Sequence, residues 1–205
     1  GRIGYLHLYA MGPGDIANFA REFYAQYDRD GLIIDVRRNR GGNIDSWVIE
    51  KLLRRAWEFW QPPHGAPSTN MQQTFRGHLV VLADEFTYSD GETFTAGVRA
   101  LKLGPVIGMR TAGAGIWLSD GNRLIDKGLA RVANTPQFDL QGRWLIEGRG
   151  AAPDIAVENL PWASAHGHDA QLEAALANLA ERLARNPVPP LHAQPIPPVG
   201  TPASV

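Results

Sequence analysis

Strand-like and helix-like segments alternate three times along the first 111 residues, and this order constrains the fold more than any other feature. Each short apolar segment is followed by a longer one whose apolar residues recur every three or four positions, as on one face of a helix. Parallel strands need such crossovers between them, so the alternation predicts an α/β layered fold with a largely parallel sheet and flanking helices. Strands are expected at residues 2–9, 32–36, 78–83 and 106–111.

Four helices are expected, each with an apolar stripe that faces the sheet. Asp15 is the predicted cap of the first, and the last is expected from His168 to about Leu183. Between residues 123 and 147 strand and turn signals replace helical ones, which predicts a β-rich arm on the same domain. The predicted inward-facing residues are Ile16, Phe19, Phe23 and Tyr27; Ile44, Val48, Leu52 and Leu53; Phe94, Val98 and Leu101; and Leu172, Leu176, Leu179 and Leu183.

Composition excludes several classes of function. Twenty basic and 21 acidic residues give a balanced charge without runs of one sign, so we expect neither nucleic acid nor a membrane surface as a partner. No apolar run approaches the roughly 18 residues that a bilayer-spanning helix needs. The absence of cysteine excludes disulfides, thiolate metal sites and a cysteine nucleophile.

The composition changes abruptly near the end of the chain. Seven prolines follow Asn186, and they exclude a helix or a central strand there. We therefore expect one domain at residues 1–185 and a disordered, Pro-rich tail at residues 186–205.

Ser89 opens a candidate site at the start of the third predicted helix. Ser89 and Glu92 form the Ser-x-x-Glu pattern of a capping box, and such caps are far commoner than nucleophiles. Thr87 also replaces the first glycine of a Gly-x-Ser-x-Gly elbow. Alone, this segment favours a helix cap over a nucleophile.

Two further segments add candidate residues. Gly41 and Gly42 follow an apolar strand and precede a helix, where their backbone N–H groups could stabilise an anion. The alternative is an ordinary loop with Asn43 as the helix cap. Glu147 opens the pattern Glu-x-x-Gly-x-x-Pro-Asp, which could equally be a surface turn with a solvated carboxylate.

In this order the three segments resemble the peptidase family of the carboxyl-terminal processing proteases and the tricorn protease core. The likeness covers about residues 1–185. It rests on Asp-Val-Arg-x-Asn-x-Gly-Gly at 35–42, Ser-x-x-Glu at 89–92, VIGMRTAGAG at 106–115, Glu-x-x-Gly-x-x-Pro-Asp at 147–154 and a terminal helix at 169–179.

The resemblance implies a Clp/crotonase-like α/β fold and a site with assigned roles. Ser89 would be the nucleophile, the backbone N–H groups of Gly42 and Asp90 would form the oxyanion hole, and Glu147 would belong to the catalytic tetrad. No cofactor or metal is implied. The implied function is a serine endopeptidase that hydrolyses peptides through an acyl-enzyme, in a cytoplasmic homo-oligomer.

The general base is the point at which this sequence departs from part of the family. The processing proteases carry a lysine in a turn that matches residues 111–115, where this chain has Ala114. Alanine cannot accept a proton, so the sequence resembles the tricorn-like branch, whose base is a histidine upstream of an inserted PDZ domain. None of the six histidines lies in a motif that would bring it to Ser89, although His7, on the first strand, is a candidate. We therefore expect the C-terminal half of a catalytic core, inactive without the upstream half.

Two other functions stay open at this stage. A non-catalytic module that binds a ligand or peptide, like the retinoid-binding relatives of the family, would use Ser89 only as a cap. An acyl-CoA enzyme would share the fold and its oxyanion hole, but the sequence shows no cue for CoA binding.

Overall fold

The computed structural model describes residues 1–196, which contain nine strands and five helices. The strands are β1 (Ile3–His7), β2 (Gly31–Asp35), β3 (Phe59–Trp60), β4 (Ser68–Thr69), β5 (His78–Ala83), β6 (Val106–Gly108), β7 (Trp117–Ser119), β8 (Val132–Thr135) and β9 (Ile155–Ala156). The helices are α1 (Asp15–Tyr24), α2 (Asp45–Leu53), α3 (Asp90–Ala100), α4 (Pro161–Ala165) and α5 (Ala170–Arg185). None of the helices within residues 1–196 is both long and apolar enough to span a lipid bilayer.

The central sheet has five strands in the order β1-β2-β5-β6-β9, and every adjacent pair is parallel. β2 is buried along its whole length, as expected for a strand covered on both faces. This confirms the predicted α/β fold. Because all five strands run the same way, their carboxyl ends meet at one edge, and the loops that leave this edge can bring together residues that are distant in sequence.

Two apolar layers cover the sheet. On one face, Leu32 and Ile34 belong to a cluster with residues of α1, α2 and α3, among them Phe19 and Phe94. On the other face, Ile33 and Val80 belong to a smaller cluster with Ala175 and Leu179 of α5. Successive residues of a strand point to opposite faces, so one short apolar strand supplies both layers.

Some predicted inward-facing residues are wrong. Leu53 is exposed, and Ile49 is buried in its place, because Val48, Ile49 and Leu52 share one helical face. Leu101, predicted to face inward, is the exposed C-cap residue of α3. On α5, Leu176 is exposed and Ala175 is buried instead.

The ends of the first and last helices also differ from expectation. Asp15 is the first residue of α1 and not its cap, and its carboxylate instead accepts the Gly12 N–H at 2.9 Å. The last helix begins at Ala170, not His168, because Asp169 caps it by accepting the Leu172 N–H.

The predicted β-rich arm is present as the antiparallel pair β7–β8 and two isolated bridges between residues 123 and 144. The β3–β4 hairpin was not predicted. In the tail, residues 187–196 form neither helix nor strand, and the carbonyl oxygen of Pro189 accepts a hydrogen bond from Arg76 at 2.9 Å. The disorder of the tail stays a prediction, and its residues 197–205 lie outside the described part of the chain.

Candidate active site

Ser89 lies in the turn between β5 and α3 with a strained backbone. Its φ of 54° and ψ of −119° lie in a region that non-glycine residues seldom adopt. The residue is partly exposed. A serine with a strained backbone in a turn between a strand and a helix is the arrangement of a nucleophile elbow.

Ser89 also caps α3. Glu92 Oε1 accepts the Ser89 N–H at 3.2 Å, which is the Glu half of a capping box, whereas the Ser89 side chain makes no capping hydrogen bond. The cap interpretation of Ser-x-x-Glu is therefore confirmed for the position of Ser89 and not for its hydroxyl. A cap, however, ordinarily has extended dihedral angles and does not need a positive φ. The strain at Ser89 calls for an additional explanation, and strained residues cluster at functional sites.

The loop that contains Gly41 and Gly42, called the glycine loop below, contacts Ser89. A Cβ atom built on Gly41 would lie 2.6 Å from the Ser89 Cβ and 3.2 Å from the Asp90 nitrogen. The loop is held there by Asn39, which is fully buried and accepts the Gly41 N–H on its side-chain oxygen at 2.8 Å. The Tyr88 N–H in turn donates to the Asn39 carbonyl oxygen at 2.9 Å. Glycine is thus required at residue 41 by close approach as well as by its φ of 79°.

Two backbone N–H groups have no acceptor in the described part of the chain, one on the residue that follows Ser89 and one in the loop that contacts Ser89. Among the hydrogen bonds of residues 1–196, neither the Gly42 N–H nor the Asp90 N–H has an acceptor. Asp90 is the first residue of α3, so its N–H has no partner within the helix and lies at the positive end of the helix dipole. Such a pair of donors can stabilise negative charge that develops next to the serine.

The side chain of Asp90 has a role that the sequence did not reveal. It is 1% exposed, and its Oδ2 accepts the N–H groups of Ile44 at 2.8 Å and Asp45 at 3.0 Å, at the start of α2. The alternative in which Asn43 caps this helix is wrong, since the cap residue is Ile44 and the acceptor comes from Asp90. Burial, and then the neighbouring Asp45 carboxylate, raises the pKa of Asp90 to about 7.

Glu92 connects Ser89 to the turn at residues 111–115. Its carboxylate is fully buried and accepts four hydrogen bonds, one of them from Ser89. The others come from the Thr111 hydroxyl and from the N–H groups of Gly113 at 2.7 Å and Ala114 at 2.8 Å. The sequence identified Glu92 only as a capping-box partner.

Glu147 lies on the far side of the same turn. Its Oε2 accepts the N–H groups of Gly115 at 2.8 Å and Ile116 at 2.9 Å, and the residue is exposed. Glu147 is therefore connected to Ser89 through the turn and Glu92, and no hydrogen bond joins the two directly. Its second carboxylate oxygen accepts no hydrogen bond from residues 1–196 and could bind a further donor.

No hydrogen bond within residues 1–196 joins a histidine to Ser89. The His7 ring is 3.2 Å from the Arg37 carbonyl oxygen, the His78 ring 2.7 Å from the Asn186 carbonyl oxygen, and the His166 ring 2.7 Å from the Trp162 carbonyl oxygen. His168 lies 3.9 Å from Glu173, and His64 and His192 lie in loops.

The arginine of the Asp-Val-Arg pattern serves a different purpose from the glycines that follow it. Arg37 contacts both oxygens of Asp35, at 2.7 to 3.0 Å, and donates to Asp169 at 2.8 Å. It thus ties the end of β2 to the start of α5. Burial alone would raise the pKa of Asp169, but hydrogen bonds from Arg37, the Leu172 N–H and Asn159 lower it to about 2.

Comparison with known proteins finds relatives among the tricorn proteases. Tricorn protease homolog 1 of Streptomyces coelicolor is 39% identical over 189 residues, which are 91% of this chain and 18% of that protein. The tricorn protease of Thermoplasma acidophilum is 33% identical over 186 residues, 89% of this chain and 17% of that protein. The chain therefore spans less than a fifth of the length of these curated relatives.

Solved structures show the same fold. A crystal structure of the tricorn protease matches with a TM-score of 0.85 and 32% identity, over 90% of this chain and 18% of that one. The photosystem II D1 C-terminal processing protease matches at a TM-score of 0.60 and 20% identity, over 86% of this chain and 46% of that one, which supports the fold alone. The sequence profile of peptidase family S41 matches residues 2–157. With this match and its identity to the tricorn relatives, the chain belongs to peptidase family S41.

Proposed function

We propose that this chain is part of the catalytic core of a tricorn-like serine endopeptidase, with Ser89 as the nucleophile. The observation that carries the proposal is the strained, partly exposed Ser89 at the start of α3, in contact with a glycine loop and beside two N–H groups without acceptors. A helix cap alone would not need the strain.

The reaction would proceed in two steps. The Ser89 hydroxyl attacks the scissile carbonyl carbon while its proton passes to a base, and the resulting oxyanion accepts hydrogen bonds from the Gly42 and Asp90 N–H groups. When the intermediate collapses, the peptide C–N bond breaks and the leaving amine takes the proton from the base, so that the acyl group remains on the Ser89 oxygen. Water then attacks this ester by the same route and releases the second product.

The base in this proposal is a histidine from a segment outside residues 1–205. Support comes from the six histidines of the chain, none of which is hydrogen-bonded to Ser89. Further support comes from the tricorn relatives, which are more than five times as long as the matched region. Glu147 would orient the partners of that histidine through the carboxylate oxygen that its backbone bonds leave free. The chain alone would then be inactive or nearly so.

The proposal also includes the substrates of the enzyme, its assembly, its location and its upstream segment. Peptides are the substrates that the names of the tricorn relatives suggest. A homo-oligomer, a cytoplasmic location and an upstream PDZ segment follow from the resemblance to the tricorn-like branch. These statements rest on similarity and not on the geometry of the site.

A fluorophosphonate probe applied to the complete protein tests the nucleophile. We expect the probe to label Ser89 and the variant Ser89→Ala to lose both labelling and peptide hydrolysis. Ser68→Ala removes an exposed serine hydroxyl from the β3–β4 hairpin and should change neither. Absence of label on Ser89 in the complete, assembled protein would refute the peptidase and favour a binding module on the same scaffold.

Complementation tests the base. Residues 1–205 are assayed alone and then mixed with the separately expressed upstream segment that carries the candidate histidine. We expect hydrolysis only in the mixture. Hydrolysis by the isolated chain, abolished by Ser89→Ala, would place the base within this chain and direct attention to His7.

A further inference from the structure

The two candidate oxyanion donors lie on segments that are far apart in sequence. Gly42 belongs to the loop before α2, and Asp90 begins α3. An oxyanion hole needs both donors at a fixed separation, because displacement by a fraction of an ångström weakens the bond to the oxyanion. The structure must therefore hold the two segments together close to these residues.

One side of the glycine loop is held by the backbone of Met11. The Met11 N–H donates to the Gly41 carbonyl oxygen at 2.9 Å, and the Asn43 N–H donates to the Met11 carbonyl oxygen at 2.8 Å. A Cβ atom on Gly42 would lie 1.8 Å from that Met11 oxygen, so the two backbones are in close contact. These contacts place the loop against the segment that follows β1 but do not connect it to α3.

Asn39 holds the loop against Tyr88 and Ser89, just before α3, and the side chain of Asp90 connects it to α3 itself. Its Oδ2 accepts the N–H groups of Ile44 and Asp45, which follow Gly42 by two and three residues. The loop receives no cap from its own sequence, since Ile44 at the cap position has no polar side chain. A local Ser, Asn or Asp would stabilise α2 equally well but would leave its start independent of α3.

We propose that the Asp90 side chain is a positioning residue of the oxyanion hole, which fixes the Gly42 N–H relative to the N–H of Asp90 itself. The proposal rests on the proposed serine peptidase function. It explains why a carboxyl group is buried here beside a second one, Asp45, despite the cost of burial. Oδ1 of Asp90 has no hydrogen-bond partner within residues 1–196, so the two bonds to Oδ2 are the contacts through which the side chain would act.

Substitutions at residue 90 distinguish positioning from a general structural role. Asp90→Asn keeps an oxygen that can accept both N–H groups, and its amide can donate to Asp45. Asp90→Ala removes the acceptor and keeps the backbone N–H. Oxyanion stabilisation acts in the transition state, so its loss lowers kcat and leaves KM unchanged. Because removal of a whole oxyanion donor costs about 100- to 1,000-fold in kcat, we expect misplacement of one donor to cost about 10- to 100-fold.

The test is steady-state peptide hydrolysis by the complete protein. We expect Asp90→Ala to lower kcat about 10- to 100-fold with KM within about 2-fold of wild type, and Asp90→Asn to restore kcat to within about 3-fold. Asp139→Ala is the matched control, because the Asp139 carboxylate also accepts two backbone N–H groups, from Gln141 and Arg143, but on the exposed arm. It should leave kcat and KM unchanged.

Several outcomes would overturn the proposal. These are a kcat of Asp90→Ala within about 2-fold of wild type, an increase in KM alone, or a loss in Asp90→Asn as large as in Asp90→Ala. If Asp90→Ala does not fold, Asp90→Ser serves instead, since its shorter side chain cannot reach both N–H groups, and the same loss of kcat is expected. Ser89→Ala, assayed in parallel, separates the two hypotheses: full activity of Ser89→Ala refutes the proposed function, whereas an inactive Ser89→Ala with a normal Asp90→Ala refutes only the positioning role.

Discussion

Ser89 and Ala114 donate their backbone N–H groups to the same carboxylate oxygen, Oε1 of Glu92, at 3.2 and 2.8 Å. The two nitrogens are therefore no more than about 6 Å apart, although 25 residues separate them in sequence. The turn that carries a catalytic lysine in the processing proteases, which this chain resembles, is thus directly beside the candidate nucleophile. In this chain a buried carboxylate joins the two.

Glu92→Gln should destabilise the fold and reduce Ser89 reactivity. Both carboxylate oxygens of Glu92 accept hydrogen bonds, so the amide group of glutamine must place a donor against existing donors such as the Gly113 or Ala114 N–H. Leaving buried donors without acceptors costs about 2 to 3 kcal/mol. Urea denaturation measures this loss, and the rate of fluorophosphonate labelling measures the effect on Ser89.

Glu50→Gln provides the matched control for this change. Glu50 lies on the exposed face of α2, and its side chain is 68% exposed. We expect its free energy of unfolding to stay within about 0.5 kcal/mol of wild type. Equal stability of the two variants would contradict the role of Glu92.

Ala114→Lys should give the isolated chain a weak Ser89-dependent activity. A lysine side chain is long enough to reach the Ser89 hydroxyl from residue 114, and partial burial lowers the pKa of an amine towards that of a useful base. Hydrolysis of an activated ester by residues 1–205 is the measurement, with Ser89→Ala in the same background as the blank. Ala112→Lys places the same group on an exposed residue of the same turn, and should remain inactive.

The parallel sheet could be predicted from short-range patterns, whereas the order of its strands could not. The run at 78–83 gave the bounds of β5, because a strand buried on both faces reads as a continuous apolar segment. Leu53 and Leu176 were misassigned because leucine occupies exposed helical positions as readily as the edge of an apolar stripe.

The candidate site was only partly predictable. Ser89, Gly42 and Glu147 each lie in a local motif, and the resemblance of the three motifs together to the peptidase family suggested their roles. The partners of Glu92 and of the Asp90 side chain were not found, since Thr111 and Ile44 lie 19 and 46 residues away from them and no local pattern marks such contacts. Sequence reasoning identified the residues that perform the proposed chemistry and missed those that hold them in place.

Gly41→Ala should abolish the reactivity of Ser89. The new Cβ would collide with the Ser89 Cβ at 2.6 Å and crowd the Asp90 nitrogen, so either the loop or the nucleophile must move. Gly142→Ala is the control, because Gly142 has a similar φ, 75° against 79°, and nothing within 4 Å of its Cβ position. Both variants should lose about 1 kcal/mol of stability through backbone strain, but only Gly41→Ala should lose fluorophosphonate labelling.

Asp169 makes the stability of the domain sensitive to acid. Hydrogen bonds from Arg37 and the Leu172 N–H help to lower the pKa of Asp169 in the folded state to about 2, below its ordinary value. The stabilisation is therefore present at neutral pH and is lost as the pH falls from about 4 to 2, because the unfolded chain takes up the proton first. At pH 7 we expect Asp169→Asn to lower the free energy of unfolding by about 1 kcal/mol. This value is modest because a third of the side chain is exposed. In urea titrations, the plot of unfolding free energy against pH should become flatter between about pH 4 and 2. The control is Asp120→Asn, in the exposed pair with Arg131, which should leave the dependence of stability on pH as in wild type. If Asp169→Asn also left it unchanged, the contact with Arg37 would not stabilise the fold.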